Sequence, residues 1–231
     1  MPLSIPETDR TLILILCMSG IPREPERRRK MKTNNRNKKI VQLTLLALLT
    51  AVLVVLSLVN IPQPAGLSIT FNMIPVAIAA IAMGLPGGAI IGGAFGLISF
   101  LQCFGILGFS AMGAALVGVS PVLMFIQRFC SRVLVGILAA LVYRFLNKRS
   151  VKPQISCTVT GFCAAFFNTL FFMLLLVLLF GHTEYMQNLM AGRGVLTFII
   201  ASVGINAVVE MIVAAVVTGA VGVALKKARL I

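Results

Sequence analysis

The sequence predicts an all-α membrane protein, a bundle of six transmembrane helices with its N- and C-termini in the cytoplasm. Hydrophobic residues make up 59% of the 231 residues and charged residues only 11%, against about 25% charged residues in soluble domains. The apolar residues fall into long runs, and a bilayer-spanning helix needs about 20 such residues. The formal net charge of +14 is concentrated at the chain ends and in one loop. Because these charges do not alternate with aromatic residues, the pattern does not indicate a nucleic-acid-binding protein.

Residues 1–39 are predicted to be a disordered basic extension before a membrane domain, residues 40–231. The apolar run at residues 12–17 is too short for a span, which needs about 20 residues. Residues 23–30 are highly charged and contain a proline, a composition typical of disorder. Met31 opens a short basic lead before the first long apolar run. Met31 is therefore a hypothesis for the native first residue, which N-terminal mass spectrometry would test.

Six apolar segments after this lead are predicted to cross the membrane. They are residues 40–60, 71–83, 87–104, 121–146, 154–180 and 195–225. With a cytoplasmic N-terminus, the inner side receives the basic lead, the loop 147–153 and the tail 226–229. The outer loops then contain Arg193 as their only Lys or Arg. This distribution follows the positive-inside rule and sets the predicted orientation.

Glycines recur every four residues around the third segment, at Gly84, Gly88, Gly92 and Gly96. Residues four apart lie on the same face of a helix. That face would carry almost no side chains, so we expect another helix backbone to pack directly on it. The Gly-Leu-Pro sequence that begins at Gly84 predicts a tight turn between the second and third segments.

Polar residues inside the later segments are the candidates for a binding site. A charge in the bilayer costs at least about 2.5 kcal/mol, so such residues face the bundle interior or a hydrated cavity. The predicted helix directions place several of them at similar depth. The candidates are Gln127, Arg128 and Arg132 in the fourth segment, Asn168 in the fifth, and Asn206 and Glu210 in the sixth.

Two interpretations of the charged residues stay open. Arg132 and Glu210 could form an ion pair that pins two helices together. The surplus arginine, for which Arg128 is favoured, would then meet an anionic group on a solute, because a guanidinium suits a carboxylate. Asn72 and Gln102, near the outer ends of the second and third segments, are either helix-interface residues or ligand contacts.

Several function classes lack the residues they need in this sequence. No GxxxxGK[ST] loop is present to hold nucleotide phosphates, and no HExxH or GxSxG motif indicates a hydrolase. The five cysteines include no CxxC pair, and His182 with Glu184 gives only a weak metal signal. The sequence therefore predicts a chain without its own ATPase, enzyme activity, cofactor or metal. An autonomous ion-coupled carrier stays an alternative, although the two halves do not form clear inverted repeats.

Residues 31–231 resemble the substrate-binding S component of energy-coupling factor (ECF) vitamin transporters. The resemblance is carried by the IPV run that begins at Ile74, by the glycine-rich third segment, and by Arg132, Leu134 and Gly136 leading to Tyr143. The sequence departs from the family pattern at two places. The turn after the second segment is Gly-Leu-Pro rather than Gly-Pro, and Ser131 stands where a proline commonly precedes the arginine.

The resemblance implies a function and a set of partners. An S component of a bacterial plasma membrane binds a vitamin from outside, associates with a transmembrane coupling subunit and two ATPase subunits that hydrolyse ATP, and topples to release its load. The family's small-residue docking motif on the first helix matches Ala47 and Ala51, and the loop 61–70 would be a lid. Pantothenate is the favoured vitamin, because the pattern is most similar to the pantothenate-type branch and because a surplus arginine with amide side chains suits it. Folate and other vitamins stay open, since the chain has no tryptophan and two tyrosines for ring stacking.

Overall fold

The computed structural model describes the backbone of residues 24–58, 61–62, 68–69, 71–190 and 195–228, and the side chains of residues 39–58, 71–188 and 207–228. These residues are almost entirely helical. The helices are α1 Glu24–Leu58, α2 Met73–Leu101, α3 Ala111–Val117, α4 Pro121–Lys148, α5 Pro153–Phe180, α6 Glu184–Met190 and α7 Val195–Lys227. The strands β1 Ile61–Pro62 and β2 Ser68–Ile69 form a small antiparallel pair.

Five described helical segments are long and apolar enough to cross a membrane. They are Lys39–Leu58, Met73–Phe104, Pro121–Lys148, Pro153–Phe180 and Ala207–Lys227. The all-helical membrane fold predicted from the sequence is confirmed at this level. The count of six spans and the cytoplasmic position of both termini stay predictions.

The chain divides into two compact units, Met1–Leu43 and Thr44–Ile231. In the first unit, α1 begins at Glu24, within the extension predicted to be disordered. Its Glu, Arg and Lys residues all have high helix propensity. The hypothesis about Met31 and the domain boundary at residue 40 stay predictions.

In the second unit, the remainder of α1 buries one narrow stripe of side chains. Leu49, Leu53 and Ser57 recur every four residues and are buried, as expected for one face of a helix. The opposite face is exposed and includes Ala47 and Ala51. Residues 45–58 of α1 therefore pack one face against the bundle and expose the opposite face.

Helix α2 reverses direction at Gly84. One straight helix of 29 residues would be about 43 Å long, yet the residues that flank it, Asn72 and Gln102, both donate hydrogen bonds to Ser57. Gly84 has φ 68° and ψ −147°, a conformation that glycine adopts without the cost other residues incur. The segment Met73–Phe104 therefore folds back on itself, with residues 73–83 packed against residues 85–101.

The glycine stripe of the second arm packs directly on α4. A Cβ atom added at Gly88 would collide with the carbonyl of Gly136, and one added at Gly92 would lie 2.5 Å from the carbonyl oxygen of Arg132. At Gly96 the added atom would lie 2.9 Å from the Cα of Phe129. These contacts confirm the expected close backbone packing. Gly84 does not take part, because nothing lies within 4 Å of its added Cβ and it forms the turn instead.

Small residues also bring α5 and α7 together. A Cβ added at Gly161 would lie 2.5 Å from the carbonyl oxygen of Ala214 and 2.7 Å from the Cβ of Thr218. On α7, Gly219 lies against the side chain of Thr158. The bundle thus contains two closely packed helix pairs, the second arm of α2 with α4, and α5 with α7. Helices α4 and α5 join one pair to the other.

Large apolar side chains cover the outside of the helices. Each of the five candidate membrane segments exposes several of them, which is the surface that lipid tails require. Examples are Leu48, Val55, Ile90, Leu97, Val122, Leu134, Leu174, Leu178, Ile212 and Val216.

Candidate functional site

Two buried arginines one turn apart on α4 form the centre of the candidate site. Arg128 is 6% exposed and Arg132 is 5% exposed. A buried charge is costly unless it is paired or faces a polar ligand. Their position is set by the glycine contacts, because Gly92 and Gly96 hold the backbone of α4 at residues 128–132 against α2.

Arg128 is held by two serines on different elements. Its Nη1 donates to the Oγ of Ser99 at 3.1 Å, and its Nη2 donates to the Oγ of Ser110 at 3.1 Å. Ser110 is also the N-cap of α3, where its Oγ accepts from the backbone N–H of Gly113 at 3.3 Å. Both serines are neutral, so neither compensates the charge of Arg128.

Arg132 lies between two aromatic rings. The centre of its guanidinium is 4.9 Å from the ring centroid of Phe95 and 4.9 Å from that of Phe172. Its Nη1 donates to the Oγ of Ser131 at 3.1 Å. Ser131, the residue that departs from the family pattern, donates in turn to the carbonyl of Gln127 at 2.6 Å. Cation–π contacts of this kind stabilise a desolvated cation by about 2 kcal/mol.

Phe172 connects α5 to both arginines. Its ring centroid is also 5.1 Å from the guanidinium of Arg128, and its carbonyl accepts from the Nε2 of Gln127 at 3.3 Å. Asn168 lies four residues before Phe172, on the same face of α5, and is buried. The structure thus brings Gln127, Arg128 and Arg132 to one junction of α4 with α5, and Asn168 lies one turn from Phe172 on the same face of α5.

Glu210 on α7 interacts electrostatically with Arg132, and the ion pair between them stays a prediction. No hydrogen-bond partner is found for the Glu210 Oε1 or for the Arg132 Nε within the described part of the chain. The Arg132 Nε can therefore donate a hydrogen bond to a ligand, and the Glu210 Oε1 can accept one. Glu210 is the one acidic side chain of the sequence that falls inside the predicted spans.

Buried polar atoms without a hydrogen-bond partner are concentrated at this junction. Among the described side chains, the donors are the Nε atoms of Arg128 and Arg132. The acceptors are oxygens of three other predicted residues, Gln127 Oε1, Asn168 Oδ1 and Glu210 Oε1. An unsatisfied buried polar atom costs about 1–3 kcal/mol, so five such atoms together favour a polar ligand at this junction.

Asn72 and Gln102 belong to a neighbouring polar cluster that joins α1 to α2. The Nδ2 of Asn72 donates to the Oγ of Ser57 at 3.0 Å. The Nε2 of Gln102 donates to the carbonyls of Ser57 at 2.9 Å and of Leu107 at 3.2 Å. Their amide donors therefore fasten helix ends, while the Asn72 Oδ1 keeps no partner within the described residues.

The remaining predicted residues lie elsewhere. Asn206 is a helical residue of α7, one turn before Glu210, and its side chain lies outside the described residues. Ala47 and Ala51 are exposed on α1. The lid predicted at residues 61–70 is described only at β1 and β2.

Sequence reasoning missed four residues that hold the arginines, Phe95, Ser99, Ser110 and Phe172. Phe95 and Ser99 are four residues apart on α2, as Arg132 and Arg128 are on the antiparallel α4. This matched spacing could have indicated from the sequence that Phe95 and Ser99 face the two arginines. A lone serine or phenylalanine in an apolar helix does not otherwise differ from a packing residue.

Comparison with known proteins gives two results. Residues 41–222 match the family model described as "ECF transporter, substrate-specific component". The chain is also 30% identical over 208 residues to the "Pantothenic acid transporter PanT" of Lactococcus lactis subsp. cremoris (strain MG1363), a match that covers 84% of this chain and 98% of that protein.

Proposed function

Because this chain belongs to the substrate-specific component family of ECF transporters, we propose that its polar junction binds pantothenate from the outer side of the membrane. The chain is a vitamin-specific transporter subunit rather than an enzyme, and a multi-pass integral protein of the bacterial plasma membrane. Members of this family bind a small vitamin and pair with a transmembrane coupling subunit and ATPases.

The observation that carries the proposal is the set of unpartnered atoms at the junction. Two cationic donors and three acceptors have no partner in the described residues. Pantothenate has a carboxylate that accepts hydrogen bonds, and one amide N–H and two hydroxyls that donate them. The ligand therefore offers acceptors where the site has donors, and donors where the site has acceptors.

Charge favours an anion. The groups that hold Arg128 are neutral, namely the hydroxyls of Ser99 and Ser110 and the ring of Phe172. Among the described residues Glu210 is the carboxylate that interacts with Arg132, so the two arginines leave a surplus of positive charge. Hydrogen bonds to a charged partner contribute about 1.5–3 kcal/mol each. A ligand carboxylate would supply the missing negative charge. The name of the Lactococcus relative, a pantothenic acid transporter, supports this choice among vitamins.

A ligand panel tests the proposal. Purified protein is melted in detergent with pantothenate, folate and other vitamins, and binding is quantified by isothermal titration calorimetry. A ligand at 100 times its dissociation constant stabilises the folded state by about 2.7 kcal/mol, so pantothenate raises the melting temperature clearly. A shift with folate alone would transfer the proposal to folate. No shift with any vitamin at high micromolar concentration would refute it.

We also propose that the chain crosses the membrane six times with both termini in the cytoplasm. The reversal at Gly84 supports two crossings within Met73–Phe104, and the basic residues around the loop 147–153 support its inner position. Single-cysteine labelling tests this with a membrane-impermeant reagent on intact cells. We expect labelling at residue 183 but not at residue 150, and the opposite result would overturn the orientation.

Transport is proposed to be powered by partner ATPase subunits that hydrolyse ATP, with Ala47 and Ala51 docking on the coupling subunit. Both alanines lie on the exposed face of α1, where small side chains let another helix approach closely. Replacing both by leucine should leave pantothenate affinity unchanged and abolish uptake. Ala220 and Ala224, an exposed pair with the same spacing on α7, give the matched control, for which we expect normal uptake.

An autonomous ion-coupled carrier makes a different prediction. Liposomes that contain the purified chain alone would then accumulate the vitamin. We expect accumulation only after the coupling subunit, the ATPases and ATP are added. Uptake by the chain alone would contradict the proposed dependence on partners.

A further inference from the structure

We propose that Ser110, in the connection between α2 and α4, is a positioning residue that fixes the guanidinium of Arg128 in the orientation that binds the ligand carboxylate. The inference rests on the proposed binding of pantothenate and adds a role for one residue. It also makes α3 part of vitamin recognition, although that helix contains no charged or amide side chain.

The two terminal nitrogens of Arg128 are held on different elements. Nη1 donates to the Oγ of Ser99 on α2, and Nη2 donates to the Oγ of Ser110, at 3.1 Å each. The ring centroid of Phe172 lies 5.1 Å from the guanidinium carbon. Because these contacts lie on separate elements, they fix the plane of the guanidinium. The Nε has no partner within the described residues, so its N–H is a preorganised donor for a ligand carboxylate.

The backbone at Ser110 is itself fixed to the end of α2. Its N–H donates to the carbonyl of Gln102 at 3.1 Å, and the Nε2 of Gln102 donates to the carbonyl of Leu107 at 3.2 Å. The connection turns through three residues with positive φ, Gly105 at 80°, Leu107 at 60° and Gly108 at 112°. Positive φ is uncommon at a leucine, and here the hydrogen bonds of Gln102 hold the turn in place. The position of the Ser110 hydroxyl is therefore set by α2.

Close packing at Gly113 brings α3 against the same nitrogen of Arg128. The Oγ of Ser110 also accepts from the N–H of Gly113 at 3.3 Å. A Cβ added at Gly113 would lie 3.1 Å from the Nη2 of Arg128 and 2.6 Å from the Sγ of Cys103, whereas favourable carbon contacts begin at about 3.5 Å. The absent side chain of Gly113 thus leaves the room that Nη2 needs beside the Ser110 hydroxyl.

The test measures pantothenate affinity by calorimetry. We expect Ser110→Ala to weaken binding by about three- to tenfold, the change that corresponds to one hydrogen bond. Ser110→Thr keeps the hydroxyl and should bind like the wild type, whereas a loss equal to that of alanine would refute a role for the hydroxyl. Ser120→Ala is the matched control and should bind normally. Ser120 caps α4 in the same way, its Oγ accepting from the N–H of Leu123 at 3.5 Å.

A double-mutant cycle shows whether Ser110 acts through Arg128. In the Arg128→Gln background, Ser110→Ala should change the affinity by less than about twofold, because the guanidinium that Ser110 holds is gone. A merely structural effect on α3 would instead weaken binding equally in both backgrounds, and that result would refute the positioning role. Wild-type affinity of the single variant Ser110→Ala would refute it as well.

Gly113→Ala is the second variant and decides the question if Ser110→Ala does not yield monodisperse protein. It should weaken binding at least as much, because the added Cβ displaces Nη2. Gly118→Ala is its control, since a Cβ there would lie 3.5 Å from the carbonyl oxygen of Ala115, an ordinary contact. Wild-type affinity of Gly113→Ala would overturn the inference. Absence of pantothenate binding to the wild type would instead refute the proposed function, so the two failures are distinct.

Discussion

Replacing Gly92 by alanine should weaken pantothenate binding by shifting α4, whereas replacing Gly93 by alanine should not. The two neighbours lie on different faces of the second arm of α2. A Cβ at Gly92 would lie 2.5 Å from the carbonyl oxygen of Arg132, while one at Gly93 would lie 3.6 Å from the nearest atom, in the ring of Phe129. Favourable carbon contacts begin at about 3.5 Å. Gly92→Ala therefore requires the two helix backbones to separate by about 1 Å, and Gly93→Ala requires no movement.

The expected magnitudes follow from two opposing effects. Alanine favours the helix over glycine by about 1 kcal/mol at either position. Overpacking costs about 1–3 kcal/mol and applies to Gly92→Ala alone. Gly93→Ala should therefore be slightly stabilising, and Gly92→Ala should be less stable than Gly93→Ala by about 1–3 kcal/mol. The helix-propensity gain is common to both variants, so their difference isolates the packing cost.

The binding constant reports the consequence for function. Polar sites need their groups within about 0.5 Å of the productive position, and the shift of α4 would move both guanidiniums by more than this. We expect Gly92→Ala to weaken pantothenate binding at least tenfold in calorimetry, with Gly93→Ala at the wild-type value. Thermal unfolding in detergent gives the stability difference. If Gly92→Ala matched Gly93→Ala in both stability and affinity, the direct backbone packing would not position the arginines.

Three further predictions concern individual side chains. Arg128→Gln should weaken pantothenate binding by about ten- to a hundredfold in calorimetry, since a charge-assisted hydrogen bond contributes about 1.5–3 kcal/mol. The control is Arg149→Gln, which loses a surface contact with Phe145 and should bind pantothenate normally. Phe172→Leu should weaken binding by a smaller factor, because both arginines lose an aromatic ring; wild-type affinity would show that the ring is not needed. Ser57→Ala should lower the melting temperature without changing affinity, because it removes the acceptor of Asn72, and a loss of affinity at equal stability would place that cluster in the ligand site.

The helical membrane fold could be predicted because its causes are local in the sequence. Span length, basic loops and the four-residue glycine period each follow from composition and spacing. The period also predicted backbone packing, and the structure supplied the partner, α4 at Gly136 and Arg132. Gly84 forms the turn that the Gly-Leu-Pro sequence predicted and, although it matches the period, takes no part in the packing.

The candidate site could be predicted in part. A polar or charged residue buried in an apolar helix stands out in the sequence because its burial costs free energy. Gln127, Arg128 and Arg132 all contact Phe172, and Asn168 lies one turn from it on α5. The distribution of hydrogen bonds could not be predicted, since it depends on tertiary distances. Gln102 uses its donors on two backbone carbonyls, as a helix-interface residue does. The disorder predicted for residues 1–39 stays a prediction.

A structure of the chain with bound pantothenate, by crystallography or cryo-electron microscopy, tests the central claim most directly. The claim is that the unbalanced, unpartnered groups at the junction of α4, α5 and α7 are the vitamin site. We predict the ligand carboxylate within hydrogen-bond distance of Arg128 or Arg132, and at least one ligand hydroxyl or amide N–H on an oxygen of Gln127, Asn168 or Glu210. Ligand density outside this junction, with both arginines in their present contacts, would contradict the claim.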